Sequence, residues 1–148
     1  MLSIDEFAAM LKLAAVRAKA EIDIPTEIVM VGAEKRAKEA IGTYEFGWPQ
    51  LAESTQADRV AKGYAANEPL RRTGELQESI AHEVELTATG ADGVLGSADR
   101  VAIFQELGTS RGTPPRSYLG ESLMRSGPEI ETAFGEFMMT ILSGRSAR

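Results

Sequence analysis

The first forty residues carry two helical patterns of apolar positions. Apolar side chains recur three or four positions apart over residues 3 to 21, which predicts an amphipathic helix. Ser3 and Glu6 have the spacing of a capping box, in which each side chain accepts from the other residue's backbone N–H. The stripe that we expect this helix to bury consists of Ile4, Phe7, Leu11, Ala14 and Ala18.

A second helix is predicted to begin near Asp23 and to end before Gly42, because glycine suits the left-handed position that follows a helix. Pro25 lies near the start, where the missing backbone N–H of proline costs nothing. The face that we expect this helix to bury consists of Ile24, Ile28, Val31, Ala37, Ala40 and Ile41.

A loop and a third helix are predicted after the second helix. Three aromatic residues between positions 44 and 48, with breakers among and after them, predict a packed loop in which Trp48 is a core residue. A helix is expected over residues 51 to 63, with Ser54 or Thr55 as its cap.

A short helix and a hairpin follow. Thr73 is placed to cap a helix that carries Leu76 and Ile80 four positions apart on one face. From residue 81 to residue 88 the apolar period becomes two, which predicts a half-buried antiparallel strand. A turn is expected at residues 90–93 and a return strand at 94–97.

Residues 96 to 120 form the stretch around which the chain is organised. Either a short helix or the end of a strand would bury its first apolar residues, which are Val101, Ala102, Phe104 and Leu107. Gly108 ends that segment, and we expect it to have a positive φ. The loop from Thr109 to Arg116 is basic, and Pro114 and Pro115 hold it extended.

The chain closes with a helix over residues 119 to 142 that is interrupted at Gly127 and Pro128. We expect the part beyond the break to pack on the sheet and form the core through Ile130, Phe134, Phe137, Met138 and Ile141. The tail, residues 143–148, is small, polar and basic, and is predicted to be mobile. The pattern indicates one α+β domain, a small antiparallel sheet packed by the helices of residues 1–42 and by the C-terminal helix of residues 126–142.

Composition narrows the class of protein. The 148 residues are 43% hydrophobic and 26% charged, which is typical of a globular chain. There is no cysteine, and the net charge of −6 argues against a general DNA-binding protein. No apolar run approaches the roughly 20 residues that span a bilayer, and the N-terminus has no basic signal-peptide region. These features predict a protein made in a cytoplasm.

No catalytic pattern emerges from the polar residues. The chain has no phosphate-binding loop, no nucleophile elbow and no zinc-protease motif. We interpret His82, its single histidine, as a core or edge residue of the strand, and Glu83 and Glu85 as its solvated face. We therefore expect no catalytic residue, no metal and no cofactor.

Arginine is the residue type that suggests binding, because its planar fork suits carboxylates and phosphates. Two arginine pairs without interleaved aromatic residues are a weak signal for nucleic acid, and contact with an acidic neighbouring protein suits them better. The candidate interface residues are Arg71, Arg72, Arg111, Thr113, Pro114, Pro115, Arg116 and Tyr118.

Four segments, in this order, resemble tailed-phage neck and tail-completion proteins of the lambda minor tail protein Z type. Residues 48–55 (WPQLAEST) are similar to the family's W-x-x-L-x-x-x-T, and residues 70–80 (LRRTGELQESI) to its L-x-x-T-G-x-L-x-x-S-I. Gly96-Ser97 with residues 101–109 (VAIFQELGT) resembles V-G-S followed by Y-A-x-Y-x-E-F-G-T. Residues 114–119 (PPRSYL) are similar to P-P-R-P-F-L. The resemblance covers roughly residues 48 to 125.

The chain departs from this pattern in places. Val101 stands in place of the usual tyrosine, Leu107 in place of phenylalanine and Ser117 in place of proline. These changes leave the expected fold intact and alter the fine contacts of the loop.

The resemblance implies a structural virion protein of the head–tail junction of a tailed phage, prophage or gene transfer agent. Such proteins form rings, here expected to be hexamers, between head-closure or connector proteins and tail-terminator or tail-tube proteins. DNA passes through the ring without specific binding, no membrane is involved, and the protein moves from the host cytoplasm into the virion. Two alternatives are a monomeric adaptor or regulatory module, such as a toxin–antitoxin partner, and a small hydrolase that uses Glu and Arg residues.

Overall fold

The computed structural model describes all 148 residues and shows an α+β fold, about half helical, with one two-stranded antiparallel sheet. No helix combines the length and the apolar character that crossing a membrane requires. The elements are α1 (Ile4–Glu21), α2 (Asp23–Ala40), α3 (Glu53–Ala61), α4 (Glu75–Glu78), β1 (Ile80–Leu86), β2 (Ala91–Ser97), α5 (Ala102–Leu107), α6 (Leu119–Met124) and α7 (Gly127–Leu142).

The chain folds into two compact units. The terminal unit comprises residues 1–32, 83–94 and 126–148. The central unit comprises residues 33–82 and 95–125, and it contains all four segments that carry the phage resemblance.

The central unit has a continuous hydrophobic core. Small residues of α2 at positions 37 and 40 let other side chains approach the helix closely, and Trp48 meets Phe46 edge to face, with ring centroids 5.5 Å apart. The prediction that Trp48 is a core residue is confirmed. The buried members of this core are Ala37, Ala40, Ile41, Trp48, Leu76, Ile80, Ala102 and Tyr118.

Helix α1 forms as predicted, but its apolar stripe is not buried. The Ser3 hydroxyl accepts from the Glu6 N–H, and the Glu6 carboxylate accepts from the Ser3 N–H at 2.8 Å, which confirms the capping box. Ile4 is 87% exposed and Phe7 54%, and Leu11 is exposed as well, so the prediction of a buried stripe is wrong. α1 contacts α7, which covers too little of the helix to bury these side chains.

Helix α2 also has the predicted bounds, and Gly42 follows it with a φ of 90°. The predicted buried face is correct in the second half of the helix and wrong in the first. Ile28 and Val31 are exposed, whereas Val29 and Met30 are buried. Because adjacent positions differ by about 100° around a helix, the covered side of this half lies about one residue away from the predicted one.

Two predicted helix caps are wrong. Helix α3 begins after Ala52 without a side-chain cap, so neither Ser54 nor Thr55 caps it. Helix α4 is capped by Gly74, whose φ of 96° places the chain in the left-handed region. Thr73 stands one position earlier, and its hydroxyl accepts from the Glu75 N–H at 3.4 Å.

The hairpin has the predicted alternation, although its turn comes earlier. In β1, Ile80 is buried and His82 and Val84 are partly buried, while Glu83 and Glu85 are exposed as predicted. The turn lies at residues 87–90 and not at 90–93, because the Thr87 hydroxyl accepts from the Gly90 N–H and the Thr87 N–H donates to the Gly90 carbonyl.

The C-terminal helix is interrupted as predicted, but the break lies at Arg125 and Ser126, and Gly127 and Pro128 begin α7. Its buried residues are Ala133, Phe137 and Ile141, while Ile130 and Met138 are exposed. The main partner of α7 is α1, and the core of the central unit contains no residue of α7. The prediction that this helix forms the core on the sheet is therefore wrong.

The tail, predicted to be mobile, contacts the end of α1. The Glu21 carboxylate accepts from the Ser146 hydroxyl at 2.8 Å and from the Ala147 N–H at 2.7 Å, and these hydrogen bonds lower the pKa of Glu21. Arg148 reaches Asp23 at 3.2 Å. The sequence contains no signal for these contacts, because the partners lie more than a hundred positions apart.

Candidate interaction site on the central unit

Helix α5 presents apolar side chains to solvent. Only Ala102 is buried, and it lies on the inner side of the helix with the partly buried Glu106. The expectation that this helix buries its apolar set is correct for Ala102 alone. The exposed side, which we call the α5 face, consists of Val101, Ile103, Phe104 and Leu107, the last of which is 71% exposed.

Gly108 turns the chain out of α5 into the loop. Its φ of 75° and ψ of −177° lie in a region that only glycine adopts readily, so the predicted positive φ is confirmed. A Cβ atom at this position would lie 2.7 Å from the Thr113 carbonyl oxygen and 2.9 Å from the Pro115 nitrogen. The close approach of the two ends of the loop therefore requires glycine.

The loop closes on itself through backbone hydrogen bonds. The Thr109 N–H donates to the Thr113 carbonyl at 3.0 Å, and the Gly112 N–H donates to the Thr109 carbonyl at 3.2 Å. Its tip, Ser110 to Gly112, is exposed, and the Arg111 side chain makes no hydrogen bond or ion pair. The loop is thus a braced structure that carries a free arginine at its tip.

Glu106 is the residue that holds the far end of the loop. Its carboxylate accepts from the Ser117 hydroxyl at 2.6 Å and from the backbone N–H groups of Tyr118, Leu119 and Gly120 at 2.8, 3.0 and 2.9 Å. It thereby caps the first turn of α6 from outside that helix. Candidate site residues chosen from the sequence omit Glu106, although it lies in the segment QELGT that carries part of the resemblance.

Arg116 and Tyr118, two of the predicted interface residues, lie inside the chain. Arg116 is 5% exposed, and its Nη2 donates to the Pro49 carbonyl at 3.2 Å while its Nε–H has no acceptor. Burial lowers the pKa of Arg116. Tyr118 is fully buried, and burial raises its pKa to about 12. Both residues support the loop from beneath and do not present a surface.

The other predicted arginine pair remains exposed. Arg72 meets Asp58 at 3.2 Å and lies over the Tyr64 ring, while Arg71 is 3.8 Å from Glu68. A fifth arginine, Arg59, is absent from the sequence-based candidates. It is buried, and it donates to the backbone carbonyls of Ala65 and Arg71. An arginine inside a helix gives no sequence signal for such a role.

A cleft of about 840 Å³ brings several of these residues together. Of the predicted interface residues, Arg72, Arg111, Thr113, Pro114 and Arg116 line it, whereas Arg71, Pro115 and Tyr118 do not. Arg59 is the fourth arginine of the lining. Two carboxylates, Glu75 and Asp99, also line the cleft, so its arginines outnumber its acids by four to two.

His82 lies elsewhere in the central unit, in a hydrogen-bonded group with Glu34 and Lys38. His82 Nδ1 contacts the Glu34 carboxylate, which also accepts from Lys38 at 2.5 Å. The hydrogen bond from Lys38, and then that from His82, hold the pKa of Glu34 below its usual value against the opposing effect of burial. No group of three or more His, Asp or Glu side chains is arranged to hold a metal ion.

Comparisons with protein-family models, with curated proteins and with solved structures found no match to this chain.

Proposed function

We propose that this protein is a structural subunit of the head–tail junction of a tailed phage, prophage or gene transfer agent. The observation that carries the proposal is the braced loop of residues 109–116 beside the exposed α5 face. Both belong to the segment that resembles the neck and tail-completion proteins, and both are surfaces that suit contact with another protein.

The loop is stiff, so binding through it costs little ordering. Gly108 and Glu106 hold its two ends, and backbone hydrogen bonds brace its tip. A segment that is already rigid loses less conformational entropy on binding than a flexible one. Arg111 supplies a charged donor at the tip, and the α5 face supplies apolar area beside the loop.

A ring subunit needs two different surfaces that match each other in neighbouring copies. The terminal unit provides further exposed apolar area on α1, where Phe7 and Val16 are each more than half exposed. Exposed apolar side chains on this scale are typical of surfaces that become covered on association. The proposed assembly is a closed ring, most simply a hexamer, between head-closure or connector proteins and tail-terminator or tail-tube proteins.

In this proposal the protein catalyses nothing and holds no cofactor. It is made in the host cytoplasm and becomes part of the neck or tail of the virion. DNA would pass through the ring without specific contacts, because a chain with a net charge of −6 offers few partners to phosphates.

The test is to co-express the chain with the products of the adjacent genes and to image the particles by electron microscopy. We expect rings at the junction, and we expect Leu107→Glu to prevent their incorporation, because it places a charge within the α5 face. Glu78→Lys, an exposed charge change outside that face, is the matched control. A stable complex with one copy of this chain and no ring would favour the monomeric adaptor.

A further inference from the structure

The cleft of the central unit has a charge opposite to that of the whole chain. Four arginines and two carboxylates line it, although the protein carries 22 acidic and 16 basic residues overall. The two carboxylates are already engaged: Asp99 accepts from the Val101 N–H at 2.8 Å, and Glu75 accepts from the Thr73 hydroxyl at 3.0 Å. Neither carboxylate forms an ion pair with an arginine of the cleft, and Arg72 pairs instead with Asp58.

The four arginines differ in what they can still bind. Arg59 donates to two backbone carbonyls and supplies a fixed charge in the wall. Arg116 is buried and has an Nε–H without an acceptor. Arg111 has no partner at all, and Arg72 is held only by an exposed ion pair with Asp58 and by the Tyr64 ring. The exposed arginines, Arg111 and Arg72, are therefore the two whose side chains can meet an occupant of the cleft.

From these observations we propose that the cleft binds an extended acidic peptide segment of the protein that adjoins this one in the assembly. Carboxylates of that segment meet Arg111 and Arg72 at the rim, and the positive charge of Arg116 and Arg59 lies in the wall behind them. Arginine pairs readily with carboxylates because its planar fork can donate two parallel hydrogen bonds. The inference rests on the proposed structural role, since it names the chemistry of one contact within that role.

The size and the lining of the cleft favour a peptide over a nucleic acid. Its volume, about 840 Å³, accommodates a few residues of extended chain. Single-stranded nucleic acids bind on series of exposed aromatic rings, whereas the aromatic residue here is Tyr64, already covered by Arg72. The lining also includes apolar side chains, Leu51, Leu70 and Val101, against which a peptide can pack.

The experiment measures binding of a dye-labelled peptide of alternating glutamate and glycine to the full chain by fluorescence anisotropy. The same peptide with glutamine in place of glutamate is the probe control. We expect the glutamate peptide to bind and the glutamine peptide to bind at least about tenfold more weakly, since the charged hydrogen bonds would be lost.

Protein variants locate the binding. The double variant Arg72→Gln/Arg111→Gln, which changes exposed side chains, should weaken binding by about tenfold or more. Arg100→Gln removes one arginine charge at an exposed position that does not line the cleft, and it should change the affinity by less than about twofold. Equal affinities for the double variant and the wild type would overturn the proposal.

Other outcomes would also overturn it. Tighter binding of a single-stranded oligonucleotide than of the glutamate peptide, lost in the double variant, would make the cleft a nucleic-acid site. Concentration-dependent self-association, abolished by the same variant in sedimentation, would make the occupant a second copy of this chain.

If particles assemble with the double variant as with the wild type, the cleft inference fails while the junction role stands. If the peptide binds but no particle contains the protein, the junction role fails.

Discussion

Large apolar side chains are buried in the core of the central unit but exposed on helix α1. In the central unit, Trp48, Ile80 and Tyr118 are buried in one continuous core. In α1, Phe7 and Leu11 are four positions apart on one face, yet both are exposed. Periodicity therefore says which apolar residues share a face, and it does not say whether another part of the same chain covers that face.

The difference separates apolar surface that stabilises the folded chain from apolar surface that could add stability only on association. Burying apolar surface contributes about 25 cal/mol for each Å² removed from water. The core of the central unit gains this contribution when the chain folds, whereas α1 and the α5 face leave apolar area exposed. Substitutions in the two regions should thus separate loss of folding from loss of assembly.

The largest effect is expected in the central core. Trp48→Ala should lower the free energy of unfolding by about 3–5 kcal/mol, because it leaves a cavity where the indole meets Phe46. Denaturant melts measure this change. Trp48→Phe is the control, and it should cost less, since it keeps an aromatic ring and removes an indole N–H that has no acceptor. A loss below about 1 kcal/mol for Trp48→Ala would contradict the burial of Trp48 in the core, and with it the difference between the central unit and α1.

Next in size is the loop that the central unit supports. Gly108→Val should cost about 1–3 kcal/mol through backbone strain alone, because its φ and ψ suit only glycine. The clash with the Thr113 carbonyl should add to that loss and displace the loop tip. Gly96→Ala, where a Cβ meets nothing within 4 Å, is the control for denaturant melts. Wild-type stability in Gly108→Val would contradict the observed backbone geometry.

A smaller effect should appear as a dependence of stability on pH. Lys38 and His82 hold the pKa of Glu34 below its usual value, so the folded state favours the carboxylate more than the unfolded state does. This contribution is complete above the unfolded pKa of about 4.5 and is lost as pH falls through the lower folded value. Melts of Glu34→Gln from neutral to acidic pH should show a shallower decline than the wild type. Glu83→Gln, an exposed carboxylate, should leave the decline unchanged.

The smallest effect on folding is expected on α1. Phe7→Ala should change the free energy of unfolding by less than about 0.5 kcal/mol, because the ring is exposed. Phe137→Ala is the matched control in the same unit, and its buried ring predicts a loss of about 3–5 kcal/mol. Incorporation into particles, followed by electron microscopy, should fall for Phe7→Ala despite its stability. A large loss of stability would instead place Phe7 in the core.

Local signals within the sequence predict much of this protein correctly. The capping box of Ser3 and Glu6, the break between α6 and α7, the alternation of β1 and the positive φ of Gly108 are all confirmed. Each depends on residues a few positions apart, and short-range sterics and hydrogen bonds decide such features.

Contacts between distant residues depend on the tertiary structure. It exposes the α1 stripe, buries Arg116 and Tyr118, and joins Glu106 to the start of α6. It also assembles Arg59, Arg72, Arg111 and Arg116 around one cleft from three separate segments. Residue type and spacing determine which conformations a segment can adopt and which side chains share a face. Burial and pairing depend on what else in the chain packs there, and only the folded structure contains that information.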